Sequence, residues 1–172
     1  LRALVVKHFG KVQGATTSQM LAEIKRLTEV IGTGSGVPHN GKQLYMQSCG
    51  KCHKLFTAGG EIGPNLTSFQ RQDLQRVLVN VVNPSLEIRE GYENYRVITE
   101  DGRVLTGFVV DQDDQLVVLR GADGQTTILQ RDAIEELSAT PQSLMPEELL
   151  TRFNDQQVRD LFAFLRSSQP VP

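Results

Sequence analysis

Cysteine is nearly missing from this chain: the only two among its 172 residues lie in the run CGKCH at 49–53, and no second C-x-x-C exists to complete a zinc site. Also missing is any apolar stretch near the roughly 20 residues that a membrane-spanning helix needs. The longest candidate, VLVNVVN from Val77, is short and amphipathic. An excess of either charge is missing too, with 18 Lys and Arg against 20 Asp and Glu. The net charge of -2 points neither to nucleic acid nor to a strongly acidic substrate. The opening LRALVVKHFG has no initiating Met and no recognisable signal peptide, and it reads as a processed or excised segment, so the compartment must come from the cysteines. What remains is ordinary globular composition, 39% hydrophobic and 22% charged. The length suits one good core, or one domain with a sizeable insertion.

Hydrophobic spacing divides the chain into helices, a β-rich block, and helices again. Met20, Leu21, Ile24, Leu27 and Ile31 recur at helical spacing over about 15–31, with Thr16, Thr17 or Ser18 as cap. GTGSGVPHN is a linker. Asn40 with Gln43 resembles a capping box opening a short helix into Cys49. A Gly-punctuated loop follows. From Arg71 to Val82 the residues Leu74, Val77, Leu78, Val81 and Val82 share one helical face, and Asn83-Pro84 ends it. From Gly91 the period changes. YENYRVITE, RVLTGFVV, QLVVLRG and QTTILQR are β-rich, and Asp101-Gly102 and Asp123-Gly124 signal tight hairpins. This predicts a small antiparallel sheet at about 92–138. Pro146 suits the first position of a further helix, with Glu147 and Glu148 at its positive end. The last helix starts at Asn154, has Gln157 three residues on, and buries Val158, Leu161, Phe162 and Leu165.

Three chemistries compete for CGKCH. C-x-x-C-H is the attachment signature of c-type haem: two cysteines at this spacing reach the two vinyl groups of one porphyrin edge, and the next histidine is brought onto the iron. A structural zinc ion wants four Cys or His ligands. Cys49, Cys52, His53, His39 and His8 are the choices, but adjacent Cys52 and His53 do not easily serve one tetrahedral ion. A redox disulfide belongs at a strand–helix junction, whereas these cysteines end a short helix. In an electron carrier a histidine-ligated haem iron commonly takes Met sulfur on its other face. Met20 falls on a helical apolar face and Met46 three residues before Cys49, which leaves Met145, in irregular chain before Pro146, as the candidate axial ligand.

CGKCH, the Gly-rich loop, GPNL at 63–66, and a later methionine before a terminal amphipathic helix together resemble the class I cytochrome c pattern. The resemblance implies that the Pro64 carbonyl accepts a hydrogen bond from the second ring nitrogen of His53. It implies too that Gly41 and Tyr45 mark the crossing of the first and last helices of that fold, with Phe162 and Leu165 opposite. Over about 37–168 the chain is similar to the haem-binding domain typical of planctomycete and verrucomicrobial proteins, on GPNLTSFQRQDLQRVLVNVVNPSLEIREGY, TEDGRVLTGFVV, LRGADGQ, IEELSATPQSLMPEELL and QQVRDLFAFLRS. In that family the domain often ends a large secreted protein.

The resulting expectation is a mainly α, class I cytochrome c helical fold with an inserted small antiparallel sheet. Residues 1–36 would form an N-terminal helical extension and linker, and 37–168 the cytochrome domain, interrupted at about 92–138. One haem c would be bound covalently through Cys49 and Cys52, with His53 and Met145 on the iron and Leu66, Phe69 and Leu144 as pocket walls. The work would be one-electron transfer, not catalysis, in an extracytoplasmic and most simply periplasmic setting. A redox partner protein or a fused oxidoreductase domain would exchange the electron. Two alternatives stay open: a haem-based sensor or ligand binder with an open sixth position or a bis-histidine site using His39 or His8, and a docking role for the β block. All six lysines fall at Lys7, Lys11, Lys25, Lys42, Lys51 and Lys54. They offer either a basic rim that steers an acidic partner or simply a solvated helical face.

Overall fold

Three of the four described helices start where a side chain caps the first turn. In a computed structural model that describes residues 17–172, Thr17 caps the first helix, α1 (Ser18–Gly32), by accepting from the Met20 N–H at 3.1 Å. His8, Lys7, Lys11 and Thr16 lie outside the described residues. Leu27 is buried on α1, with Ile24, Val30 and Ile31 packed beside it, whereas Leu21 is exposed. The second helix, α2 (Pro38–Ser48), starts one turn earlier than an Asn40 cap requires. Pro38 occupies its first position, where the missing N–H costs nothing, so Asn40 lies inside the helix. Similarly, α3 (Leu74–Val82) begins after Asp73, which accepts from the Arg76 N–H, rather than at Arg71. The last helix, α4 (Asp155–Leu165), carries the capping box of Asn154 and Gln157 with both reciprocal bonds formed.

Pro146 opens no helix. Glu148 adopts a left-handed backbone (φ 60), and residues 149–153 close only short turns, Thr151 N–H to Glu148 C=O and Phe153 N–H to Leu150 C=O. That arrangement buries Leu150 and packs Phe153 against the core, and the stronger cap at Asn154 then starts the real helix.

Five strands form an antiparallel sheet: β1 (Asn94–Thr99), β2 (Val104–Gln112), β3 (Leu116–Arg120), β4 (Thr126–Gln130) and β5 (Ile134–Ala139), in the order β4-β3-β2-β1-β5. Both Asp-Gly pairs sit at hairpin turns, with Gly102 and Gly124 at φ 82. At the third turn Asp113 accepts from the N–H groups of Gln115 and Leu116, each at 2.8 Å. The IEELSA segment, absent from the four β-rich runs, is the fifth strand and returns to pair with β1. Cross-strand pairs such as Val97 with Leu105 and Leu137, and Val117 with Leu129, gather one apolar face. The content is therefore mixed, four α-helices and a five-stranded sheet among the described residues, where the sequence led us to expect a mainly α chain.

The chain divides into two compact units. One comprises Pro84–Met145 and holds the sheet with its own small core of Val97, Leu119 and Leu129. The other joins residues 17–83 to Pro146–Pro172 and holds all four helices around Leu27, Tyr45, Leu55, Leu78, Leu161, Phe162 and Phe164. Among the described residues no helix is long and apolar enough to cross a membrane.

In the helical unit α2 packs across α4, and a glycine sets how closely. A β-carbon on Gly41 would lie 1.9 Å from the Asp160 carbonyl oxygen and 2.8 Å from the Phe164 β-carbon. One turn on, the Tyr45 ring tilts against Phe164 with centroids 5.2 Å apart. Gly41 and Tyr45 are i and i+4 on one helix, as are Asp160 and Phe164 on the other, so the two rows interdigitate. The residues directly opposite Gly41 and Tyr45 are thus Asp160 and Phe164 rather than Phe162 and Leu165, which are buried in the same core. Asp160 itself closes the seam. Its carboxylate accepts from the Val37 N–H and the Gln156 amide, both at 2.8 Å, and from Asn40 at 3.4 Å.

Candidate functional site

CGKCH emerges from the end of α2 as a tight turn. The Cys49 N–H closes the helix on the Tyr45 carbonyl, and the N–H groups of Cys52 and His53 both return to the Cys49 carbonyl, at 3.0 and 2.9 Å. Cys49 and Cys52 are half-buried free thiols. Burial pushes the Cys49 thiol up to about 11, against the pull of Arg152 and with a further push from Cys52.

The Gly-rich loop is fastened along this turn by its backbone. Gly60 N–H donates to Gly50 C=O, Gly63 N–H to Cys52 C=O and Leu66 N–H to Lys54 C=O, each at 2.8 Å. The approach is close enough to demand glycine. A β-carbon on Gly60 would meet the Lys51 carbonyl at 2.3 Å, and one on Gly63 would meet the His53 ring at 2.6 Å. Phe56, in the left-handed region (φ 56), donates its N–H to Thr67 Oγ1 and lies under the Arg71 guanidinium, 5.0 Å from the ring centroid. Arg71 in turn donates to the carbonyls of Leu165 and Ser167, tying the loop region to the end of α4.

The imidazole of His53 is oriented at one nitrogen and open at the other. Nδ1 lies 2.8 Å from the Pro64 carbonyl oxygen. A carbonyl can only accept, so Nδ1 carries the proton and Nε2 presents its lone pair. No described residue bonds Nε2. Burial lowers the His53 pKa, outweighing the raising effect of the Pro64 carbonyl, so the ring stays neutral at neutral pH. A neutral imidazole fixed through its second nitrogen is the form that ligates a metal. These residues fit a c-type haem: two thiols at the attachment spacing, a free ring nitrogen, and a glycine where a methyl group would push the ring aside.

The structure thus brings Cys49, Cys52, His53, Pro64 and Leu66 together in the helical unit, Leu66 and Phe69 packing against its core. Met145 and Leu144 are half-buried at the end of the other unit, where the Met145 N–H donates to Ser143 Oγ at 3.1 Å. Met46 is exposed on α2. Among the described residues no group of three or more His, Cys, Asp or Glu gathers as a metal cluster. The basic rim is thinner than the lysine positions suggest, since Lys54 pairs with Glu61 at 2.7 Å and Lys42 donates to the Val171 carbonyl. Sequence reading missed the part played by Gly63 and the Tyr45 hydroxyl. The only signal for the first was its position beside Pro64; for the second there was none beyond an aromatic four residues before Cys49.

No curated protein matches the chain. Residues 38–105, from the start of α2 through the attachment turn, GPNL and α3 into β2, match the family model for Cytochrome c, and with the geometry above this supports a haem-binding c-type cytochrome.

Proposed function

We propose that the chain is a monohaem c-type cytochrome domain that passes single electrons, with Cys49 and Cys52 as covalent anchors and His53 and Met145 as axial ligands. The observation that carries this reading is the His53 ring, fixed through Nδ1 to Pro64 with Nε2 free, at the end of a C-x-x-C-H turn. Bound there, haem supplies the Fe(III)/Fe(II) couple. The chain's own residues orient the imidazole, hold it neutral and pack Leu66 and Phe69 beside the turn, which keeps ligand changes small during transfer. Met145 is the choice for the sixth position because it stands in irregular chain, whereas Met20 and Met46 lie on helices. His/Met ligation sets a higher potential than a bis-histidine site of similar burial.

In the same reading residues 37–168 form the cytochrome domain and the sheet is its insertion, of the planctomycete and verrucomicrobial type. Covalent haem that uses both cysteines argues for an extracytoplasmic, periplasmic-type location, and for a redox partner protein or a fused oxidoreductase as electron source or sink. The test is an absorption spectrum of protein matured with the c-type haem machinery, in both oxidation states, beside Met145→Ala. A low-spin ferrous spectrum, with a weak ferric sulfur-to-iron band lost in the variant, supports the carrier. A high-spin spectrum, or one unchanged in the variant, removes Met145 from the iron and turns the reading to a sensor or ligand-binding haem.

A further inference from the structure

Tyr45 does more than fill the helix seam. Its ring is fully buried against Phe164, which is all that a core aromatic has to accomplish. Its hydroxyl, however, leaves the seam and donates to the backbone carbonyl of His53 at 2.5 Å. No other described residue donates to that oxygen. Gly59 crowds it from another side, so closely that a β-carbon there would stand 2.0 Å away. His53 is therefore held at three points. Its N–H is tied to the Cys49 carbonyl, its Nδ1–H to the Pro64 carbonyl, and its own carbonyl to Tyr45. The first is the bond of the turn and the second aims the ring. The third fixes the peptide plane next to the Cα–Cβ bond from which the ring projects.

We propose that Tyr45 is a positioning residue for His53: its hydroxyl locks the His53–Lys54 peptide, so that the imidazole keeps its bond to Pro64 and presents Nε2 in a single orientation. The inference rests on His53 being the haem ligand. Without the hydroxyl the peptide is free to rotate, which swings the ring relative to the Pro64 carbonyl and weakens the Nδ1–H bond. An imidazole with a weaker bond at its second nitrogen is a weaker donor to the metal. Weaker donation disfavours the oxidised state, so the reduction potential rises.

Tyr45→Phe tests this while keeping the ring and its contact with Phe164. The control is Leu161→Ala, a truncation of the same core at a buried residue that makes no hydrogen bond to His53. Two quantities are measured on haem-loaded protein: the reduction potential and, by NMR, the exchange rate of the His53 Nδ1–H. Tyr45→Phe is expected to raise the potential and speed exchange at least tenfold, while Leu161→Ala loses stability with both quantities at wild-type values. Equal potential and exchange in Tyr45→Phe and wild type overturn the inference. So does an equal change in Leu161→Ala, which would make the effect general loosening. A wild-type protein that takes up no covalent haem overturns the reading of the site as well, and that failure is distinguishable because it appears before any variant is made.

Discussion

Gly41→Ala is the sharpest test of how the helical unit is held together. The added methyl would stand 1.9 Å from a backbone oxygen of Asp160 and 2.8 Å from the Phe164 β-carbon, so no side-chain rotation relieves it. An ordinary carbon–oxygen contact begins near 3.3 Å, and α2 and α4 must part locally by roughly 1.4 Å relative to that limit. A gap of about 0.5–1 Å already forfeits a quarter to a half of the dispersion attraction across it. Tyr45 and Phe164 span this gap. If each loses about half of the ~2–3 kcal/mol that a buried large side chain contributes, the seam weakens by roughly 2–3 kcal/mol. Stretching the Val37 N–H bond to Asp160 adds about 1 kcal/mol, and the better helix propensity of alanine returns about as much. The net loss is about 2–3 kcal/mol, or a fall in Tm of very roughly 5–10 °C for a chain of this size. Urea unfolding followed by the helical far-UV CD signal is the assay, because all four described helices lie in the unit being tested. A change below about 0.5 kcal/mol would mean that the crossing adjusts freely, and the account of Gly41 as its spacer would be wrong.

Other perturbations separate the remaining ideas. Burial opposes the charge on Asp160, yet the Val37 N–H, Gln156, Asn40 and Arg159 together hold its carboxyl below the usual value. Its contribution is therefore full above the unfolded pKa and lost as pH falls through the lower folded value. Asp160→Asn should cost about 1–2 kcal/mol at neutral pH and flatten this part of the acid limb in urea midpoints measured from pH 7 downward. An acid limb of unchanged slope would show that Asp160 contributes nothing to it. Gly63→Ala places a methyl 2.6 Å from the His53 ring and should destabilise haem-loaded protein by about 1–3 kcal/mol while exposing the Nδ1–H to exchange; retained protection would contradict the close packing. Gly102 and Gly32 both have open space around them, but only Gly102 has positive φ. Alanine at Gly102 should cost about 1–2 kcal/mol in thermal unfolding, and at Gly32 should be neutral or stabilising by up to about 1 kcal/mol.

What could be read from the sequence was what neighbouring residues decide among themselves. The Asn154–Gln157 box, the Thr17 cap and the two Asp-Gly turns each complete their hydrogen bonds within a few residues; the box and the turns are where the pattern put them, and Thr17 is one of the three caps it offered. The attachment turn is local in the same sense, as five consecutive residues contain its chemistry. The errors came where a distant partner intervenes. Asn40 does not cap α2, because Pro38 starts the helix and Asp160, 120 positions on, takes its side chain. Pro146 starts nothing, because burying Leu150 and Phe153 outweighs the helical preference of the two glutamates. IEELSA carries two glutamates and little β propensity, and becomes a strand only because the far edge of β1 is available to it. The clasp of glycines around His53 has no sequence pattern beyond its abundance of glycine, and its close approach is decided only when the loop folds back on the turn.

The division of the helical unit into two stretches has a consequence for synthesis on the ribosome. The sheet is a run of hairpins, each strand but the last pairing with the one made just before it, so its contacts form between near neighbours as the chain emerges. The unit that carries the attachment turn cannot do this. α2 waits for α4, more than a hundred residues later, before Gly41, Tyr45 and Asp160 find their partners. During that interval CGKCH belongs to an unfinished core, because the Gly41 and Tyr45 face of the helix leading into it has not yet met Asp160 and Phe164. The order of translation thus leaves the helix that leads into CGKCH without its packing partner until the last helix of the chain has been made.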